Sequence, residues 1–189
     1  MLQARVAAWT AILLMLILSS TSSSDEDFIQ HGAHVHGAAT LLLAGENDML
    51  IVHFASPGVN LVGFESRQPN DGQLSAIDEI LAVLEDIATV LTFPESARCA
   101  LQSAEIIVTG IDDPRYTSSQ NHSHNHGHAH MDFIAEYTVT CERKENMDNI
   151  ALPLFTRWPG IETLNVNWLL DHSQGSTRLS ASKAALLLR

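Results

Sequence analysis

The chain is short of basic residues. Ten Lys and Arg stand against 22 Asp and Glu among 189 residues, a formal net charge of −12 at pH 7 with histidine neutral. Such a surface repels phosphate backbones and argues against a nucleic-acid partner. Cysteine is scarce too: Cys99 and Cys141 are the only two. Without a CxxC spacing they make a poor zinc finger. No HExxH occurs, so the helix-borne signature of a zinc peptidase is missing. No apolar run reaches the roughly 20 residues that a membrane-spanning helix needs.

What is present begins with an export signal. MLQAR carries Arg5, the apolar run Val6–Leu18 follows, and then come SSTSSS and the acidic DED. That order predicts a signal peptide over residues 1–24, cut around Ser22 to Ser24. An uncleaved anchor is the competing reading, and the run is short for it. No Cys follows the run, so a bacterial lipid anchor is not expected. Residues 25–189 are then enough for one domain. In an exported chain two cysteines most simply form one disulfide; two free buried thiols are the alternative. A Cys99–Cys141 bridge would close a loop of about 43 residues, worth roughly 4 kcal/mol on the chain-entropy account.

Alternation and punctuation give the coarse structure. Residues 38–43 are apolar, GEND at 45–48 is a turn, and Leu50, Val52 and Phe54 alternate with Ile51, His53 and Ala55. This predicts a β-hairpin closed by Pro57 and Gly58. Residues 74–91 carry Leu74, Ile77, Ile80, Leu81, Leu84, Ile87, Ala88 and Leu91 at three- and four-residue steps, a helix with Ser75 and Asp78 as a partial capping box. Pro94 ends it near Thr92. Residues 104–109 read as a short strand. Residues 112–130 read as an exposed loop. From 131 onward Phe133, Ala135, Tyr137, Val139 and Cys141 mark a strand with one buried face. Residues 149–157 suggest a short helix or turn. Residues 162–170 alternate again with Leu164, Val166, Trp168 and Leu170 inward, DHSQGS at 171–176 is a turn, and AALLLR is a last strand or helix end. The sum is an α+β fold, a mainly antiparallel sheet with packed helices, with two halves that could be related.

Histidine carries the chemistry. Eight of the ten histidines fall into two clusters: His31, His34 and His36 in HGAHVHG, and His122, His124, His126, His128 and His130 in NHSHNHGHAH. On a strand, residues two apart share a face, so His34 and His36 can converge on one ion. Neutral imidazole binds zinc at about 2.0–2.1 Å. Gly32, Ala33 and Gly37 leave room for the rings. The second cluster offers many ligands on a flexible backbone and suits Zn²⁺, Ni²⁺ or Cu²⁺. Ordering such a backbone has an entropy cost, so binding at any one register is expected to be modest. A polar linker and a pH switch are the bland alternatives, and an exposed loop has no evident two-state element to flip. His53 and His172 stand apart and read as structural or surface residues. NHS at 121–123 also fits a glycosylation sequon.

HGAHVHG after a signal peptide, a hairpin, SPGVNLVGFE, a His-rich loop, YTVTC and LPLFTRWPGIETLNVNW together resemble the ZrgA-like family of bacterial periplasmic zinc-uptake proteins. The resemblance implies a periplasmic, non-enzymatic zinc-binding protein that supports an importer in the inner membrane. It implies His31, His34 and His36 as an N-terminal ligand group, His122 to His130 as a metal-collecting loop within 112–130, and Cys99 and Cys141 as the family's two cysteines. The family often has His after GFE, where this chain has Ser66. Two other function classes remain open at this stage. A zinc metalloenzyme would need fixed ligands and an acid or base, for which Glu65 is the candidate. A metal buffer would need no transporter.

Overall fold

The first hairpin forms as its alternation predicts. Strand β1 (Ala38–Glu46) pairs antiparallel with strand β2 (Met49–Pro57), Glu46 opposite Met49 and Thr40 opposite Ala55. Ala39, Leu41 and Leu43 point inward beside Leu50, Val52 and Phe54. The turn holds Asn47 at φ +55, which Asn tolerates better than most residues. The structure is a computed structural model and describes residues 35–116, 130–171 and 173–188. The expected signal peptide at 1–24 lies outside the described residues.

Beside β2 lies strand β4 (Asp132–Cys141), which buries Phe133, Ala135, Tyr137, Val139 and Cys141 as read from the sequence. Strand β3 (Cys99–Thr109) pairs with β4 and forms one edge of the sheet. On the other side of β1 runs strand β6 (Thr163–Leu170), followed by strand β7 (Ser173–Leu179) at the second edge. The sheet order is β3-β4-β2-β1-β6-β7. A smaller pair joins strand β5 (Asn149–Ala151) to strand β8 (Ala185–Leu187).

The α+β expectation is corrected here. The fold is β-rich, and its six-stranded sheet is mixed, because β1 and β6 run parallel, Ala38 beside Thr163 and Leu41 beside Val166. Alternation reports which face of a strand is buried, not the direction of its neighbour. The idea of two related halves falls with it, since the later strand β6 inserts directly beside the first one in a continuous sheet. Strand β7 replaces much of the expected turn at 171–176: its residues are mostly exposed, so it carries no apolar alternation. The same holds for the first residues of β3.

Packed helices are fewer than expected. Helix α1 (Gly58–Val62) and helix α3 (Leu154–Arg157) are short. Helix α2 (Asp71–Leu84) is the long one. Its cap is Asn70 with Gln73, each side chain accepting from the other residue's backbone N–H at 3.0 Å, and not the expected Ser75–Asp78 pair. It ends at Leu84, whose carbonyl accepts the buried Tyr137 hydroxyl at 2.6 Å. Asp86 then accepts from the Ala88 N–H and starts a short 3₁₀ turn at Ile87–Thr89. The apolar spacing therefore runs on past the end of the helix. Ile77 and Leu84 are fully buried, and Phe54 stacks on Trp158 with centroids 6.5 Å apart. Each such side chain contributes about 1.5–3 kcal/mol.

Candidate functional site

Antiparallel pairing fixes what meets at each end of the sheet. Pro57, at the end of β2, lies opposite Asp132 at the start of β4, and Asp132 lies opposite Thr109 at the end of β3. Ala38, at the start of β1, lies beside Thr163 at the start of β6. The segment that leads into β1 and the segment that joins β3 to β4 are therefore attached at the same end. These are the two stretches that carry the histidine clusters.

Three side chains meet there. Glu65 lies between His36 and His130. Its Oε2 is 3.0 Å from His130 Nδ1. Its Oε1 is 3.4 Å from His36 Nε2. The Glu65 side chain is only 19% exposed, against 65% for His36 and 43% for His130. Oε1 is buried and has no hydrogen-bond partner among the described residues, so the His36 contact is electrostatic. One histidine thus comes from each cluster.

The backbone around the three is held by short polar contacts. Buried Asn60 accepts from the Gly37 N–H at 2.8 Å and donates to the Ala38 carbonyl at 3.0 Å and to Ser56 Oγ at 3.1 Å. The turn bearing His36 is thereby fixed to helix α1. Gly63 ends that helix at φ +81 and turns the chain so that Glu65 follows two residues later. The Gly58 N–H donates to the Met131 carbonyl at 2.7 Å, beside His130. On the other side, a Cβ at Gly110 would collide with the His130 carbonyl, so this close approach requires glycine. Two residues along the chain from Glu65, Arg67 pairs with Asp112, 3.0 Å off, and its carbonyl accepts the Asp112 N–H.

The flank of the β3–β4 connection is tied to helix α2. Tyr116 donates a short hydrogen bond to the Asp78 carboxylate, and Arg115 stands 3.9 Å from the same group. Partial burial, then the hydrogen bond to Asp78, pushes the Tyr116 hydroxyl up to about 12. The Arg115 side chain, hydrogen-bonding to Asp113, holds that carboxyl below its usual range.

Of the sequence-predicted residues, His36 and His130 are brought together. His31, His34, His122, His124, His126 and His128 lie outside the described residues, as does His172. His53 sits on the open face of the sheet, 3.8 Å from Glu136, away from this end. Among the described residues no group of three or more His, Cys, Asp or Glu is arranged to hold a metal ion as it stands. Each imidazole addresses a different oxygen of Glu65. The Cys99–Cys141 disulfide is formed, at the opposite end of the sheet. Sequence reasoning missed Asn60 altogether and weighed Glu65 only as an acid or base. A lone Asn within the apolar stretch VNLVGF is the signal that marks a buried polar anchor.

No curated protein matches the chain. The family described as ZrgA family zinc uptake protein matches residues 33–188, a span that contains every described residue. The chain belongs to the ZrgA family of zinc uptake proteins.

Proposed function

We propose that this protein captures Zn²⁺ in the periplasm and assists its import by an inner-membrane transporter. The N-terminal group His31, His34 and His36 and the loop group His122, His124, His126, His128 and His130 supply the ligands, and residues 1–24 are removed on export. The observation that carries the reading is the meeting of His36 and His130 on Glu65. Two segments far apart in sequence, each rich in the residue type that binds zinc, are attached to one end of a rigid sheet. Family membership supplies the metal. A run of closely spaced imidazoles can exchange ligands one at a time, which suits handover better than a closed cage. The acidic chain also attracts cations and repels anions.

The chain acts without catalysis in this reading. A zinc hydrolase needs a free acid or base beside an open metal. Glu65 is instead engaged by two imidazoles. Turnover of ester, phosphate or peptide substrates above that of free zinc would contradict this.

The direct test is zinc titration by calorimetry on residues 25–189. Two variants run beside it: one lacking residues 120–130 and one with His31, His34 and His36 all changed to Ala. The loop deletion is expected to remove weak sites and the triple substitution a tight one. Unchanged binding in both would refute capture by the histidine clusters. Poor growth of the loop-deletion strain under zinc limitation is the expected sign of delivery, and unchanged growth would favour a metal buffer.

A further inference from the structure

We propose that Glu65 is itself a zinc ligand, and that His36, Glu65 and His130 form one three-donor site. This rests on the zinc-capture reading and adds to it a residue that the histidine pattern does not contain.

A mostly buried carboxylate needs compensation. Glu65 has it at Oε2, from His130 at 3.0 Å. Its Oε1 is buried without a hydrogen bond among the described residues. A group in that state has a desolvation cost that calls for an explanation, and a bound ion is one. Arg67, two residues along the chain, is engaged with Asp112. What faces Glu65 is two imidazoles, both good zinc donors.

The spacing fits. Ligands about 2.0–2.2 Å from a tetrahedral zinc stand about 3.3 Å from each other. The two nitrogen–oxygen separations are 3.4 Å and 3.0 Å. Each ring nitrogen thus stands about one tetrahedral edge from a different oxygen of Glu65. Converging on one ion takes side-chain rotation about the carboxylate, while Asn60, Gly58 and Gly110 keep the backbone where it is. Before the ion arrives, the carboxylate holds the two rings close to each other. When it arrives, both ring–carboxylate contacts give way to metal bonds. Three protein donors also leave a coordination position for a ligand of the receiving partner. A carboxylate in place of a third imidazole lowers the net charge of the loaded site by one, which suits a partly buried position.

The test uses the full mature chain and four single variants, Glu65→Gln, Glu65→Asp, His36→Ala and His130→Ala. Affinity of the tightest site is read by competition with a chromogenic chelator, and geometry by the visible absorption of bound Co²⁺. Glu65→Gln is expected to weaken the tightest site at least tenfold and to change the Co²⁺ bands, with its urea unfolding curve unmoved. Glu65→Asp, which keeps the charge, is expected to recover part of the affinity. If Glu65→Gln binds zinc and Co²⁺ like the parent while His36→Ala or His130→Ala weakens the site, Glu65 is no ligand and the capture reading stands. If none of the four alters the tightest site, zinc binds elsewhere and both readings fail at this end of the sheet.

Discussion

The two ends of the sheet are built from different materials. At one end Cys99 and Cys141 join β3 to β4 covalently, directly across the ladder. There Asp171, in the β6–β7 turn, pairs with Lys144 at 2.7 Å and accepts from the Asn47 N–H of the β1–β2 turn. Arg98 pairs with Glu142 at 3.0 Å beside the disulfide. At the other end, no covalent bond or buried lysine is used among the described residues. Asn60 hydrogen bonds, glycine turns and the imidazole–carboxylate contacts hold the chain. The first end restrains the strands so that the second can carry a long connection rich in ligands. On the proposed reading, stability and metal capture are separated by the length of the strands, and substitutions at the two ends should differ in kind.

The largest effect is expected at the disulfide. Reduction, or Cys99→Ala with Cys141→Ala, should lower unfolding free energy by about 4 kcal/mol, the loop-closure value for this separation. Urea unfolding measures it. Zinc stoichiometry of the folded fraction should be unchanged. A loss of zinc sites on reduction alone would break the separation between the ends.

Asn60→Ala comes next and sharpens the contrast, because it acts on the histidine end. It leaves the Gly37 N–H and the Ala38 carbonyl without their side-chain partner in a partly buried place. The expected cost is about 2–3 kcal/mol by chemical denaturation. Unlike the cysteine variants, it should also weaken zinc binding through His36, whose turn it releases. Equal zinc affinity in the variant would show that the turn needs no anchor.

Much of this contrast was legible in the sequence, and what was not has physical reasons. The strands with one buried face announced themselves: β2, β4 and β6 alternate because burial of one face demands it, and β1 showed as an apolar run before a turn. Edge strands such as β7 and the start of β3 are wetted on most positions, so their residues carry no period. The parallel β1–β6 pair was invisible, since direction depends on how the chain returns and not on any local pattern. The histidine clusters were legible by composition. The meeting of His36 and His130 on Glu65 was not: that Glu65 reaches both depends on Gly63, Asn60 and the β2–β4 register acting together.

A smaller effect belongs to Asp171→Ala at the disulfide end. Lys144 has a side chain only 12% exposed, and the substitution leaves its ammonium without this partner. The turn also loses the Asn47 hydrogen bond. Asp171 itself is 31% exposed, so water offsets part of the loss. About 1–2 kcal/mol of destabilisation is expected in thermal unfolding. Zinc affinity should match that of the parent. An altered affinity would mean that the two ends communicate through β6.

The smallest effect tests whether the histidine end is tied to helix α2. Tyr116→Phe removes the hydroxyl that donates to Asp78 at the flank of the histidine-rich connection. The expected cost is under about 1 kcal/mol, since the pair is exposed to solvent on one side. Its pH dependence has a definite sign. The hydroxyl is pushed up from the ordinary 10 to about 12, so the folded state holds the proton more firmly than the unfolded one. The contribution is complete below pH 10 and disappears as pH rises from about 10 to 12. Tyr137, the other of the two tyrosines, is raised as well, by burial first and the Asp86 charge second. Phenolate absorbance should therefore stay low through pH 10 in the folded protein, and its first step should be absent in Tyr116→Phe. Titration of a tyrosine near pH 10 in the parent would show that the Asp78 tether is not made in solution. The connection would then leave β3 with the Arg115–Asp78 pair as its remaining charged contact to the helix among the described residues, and the contrast between a clamped end and a lightly held one would be sharper still.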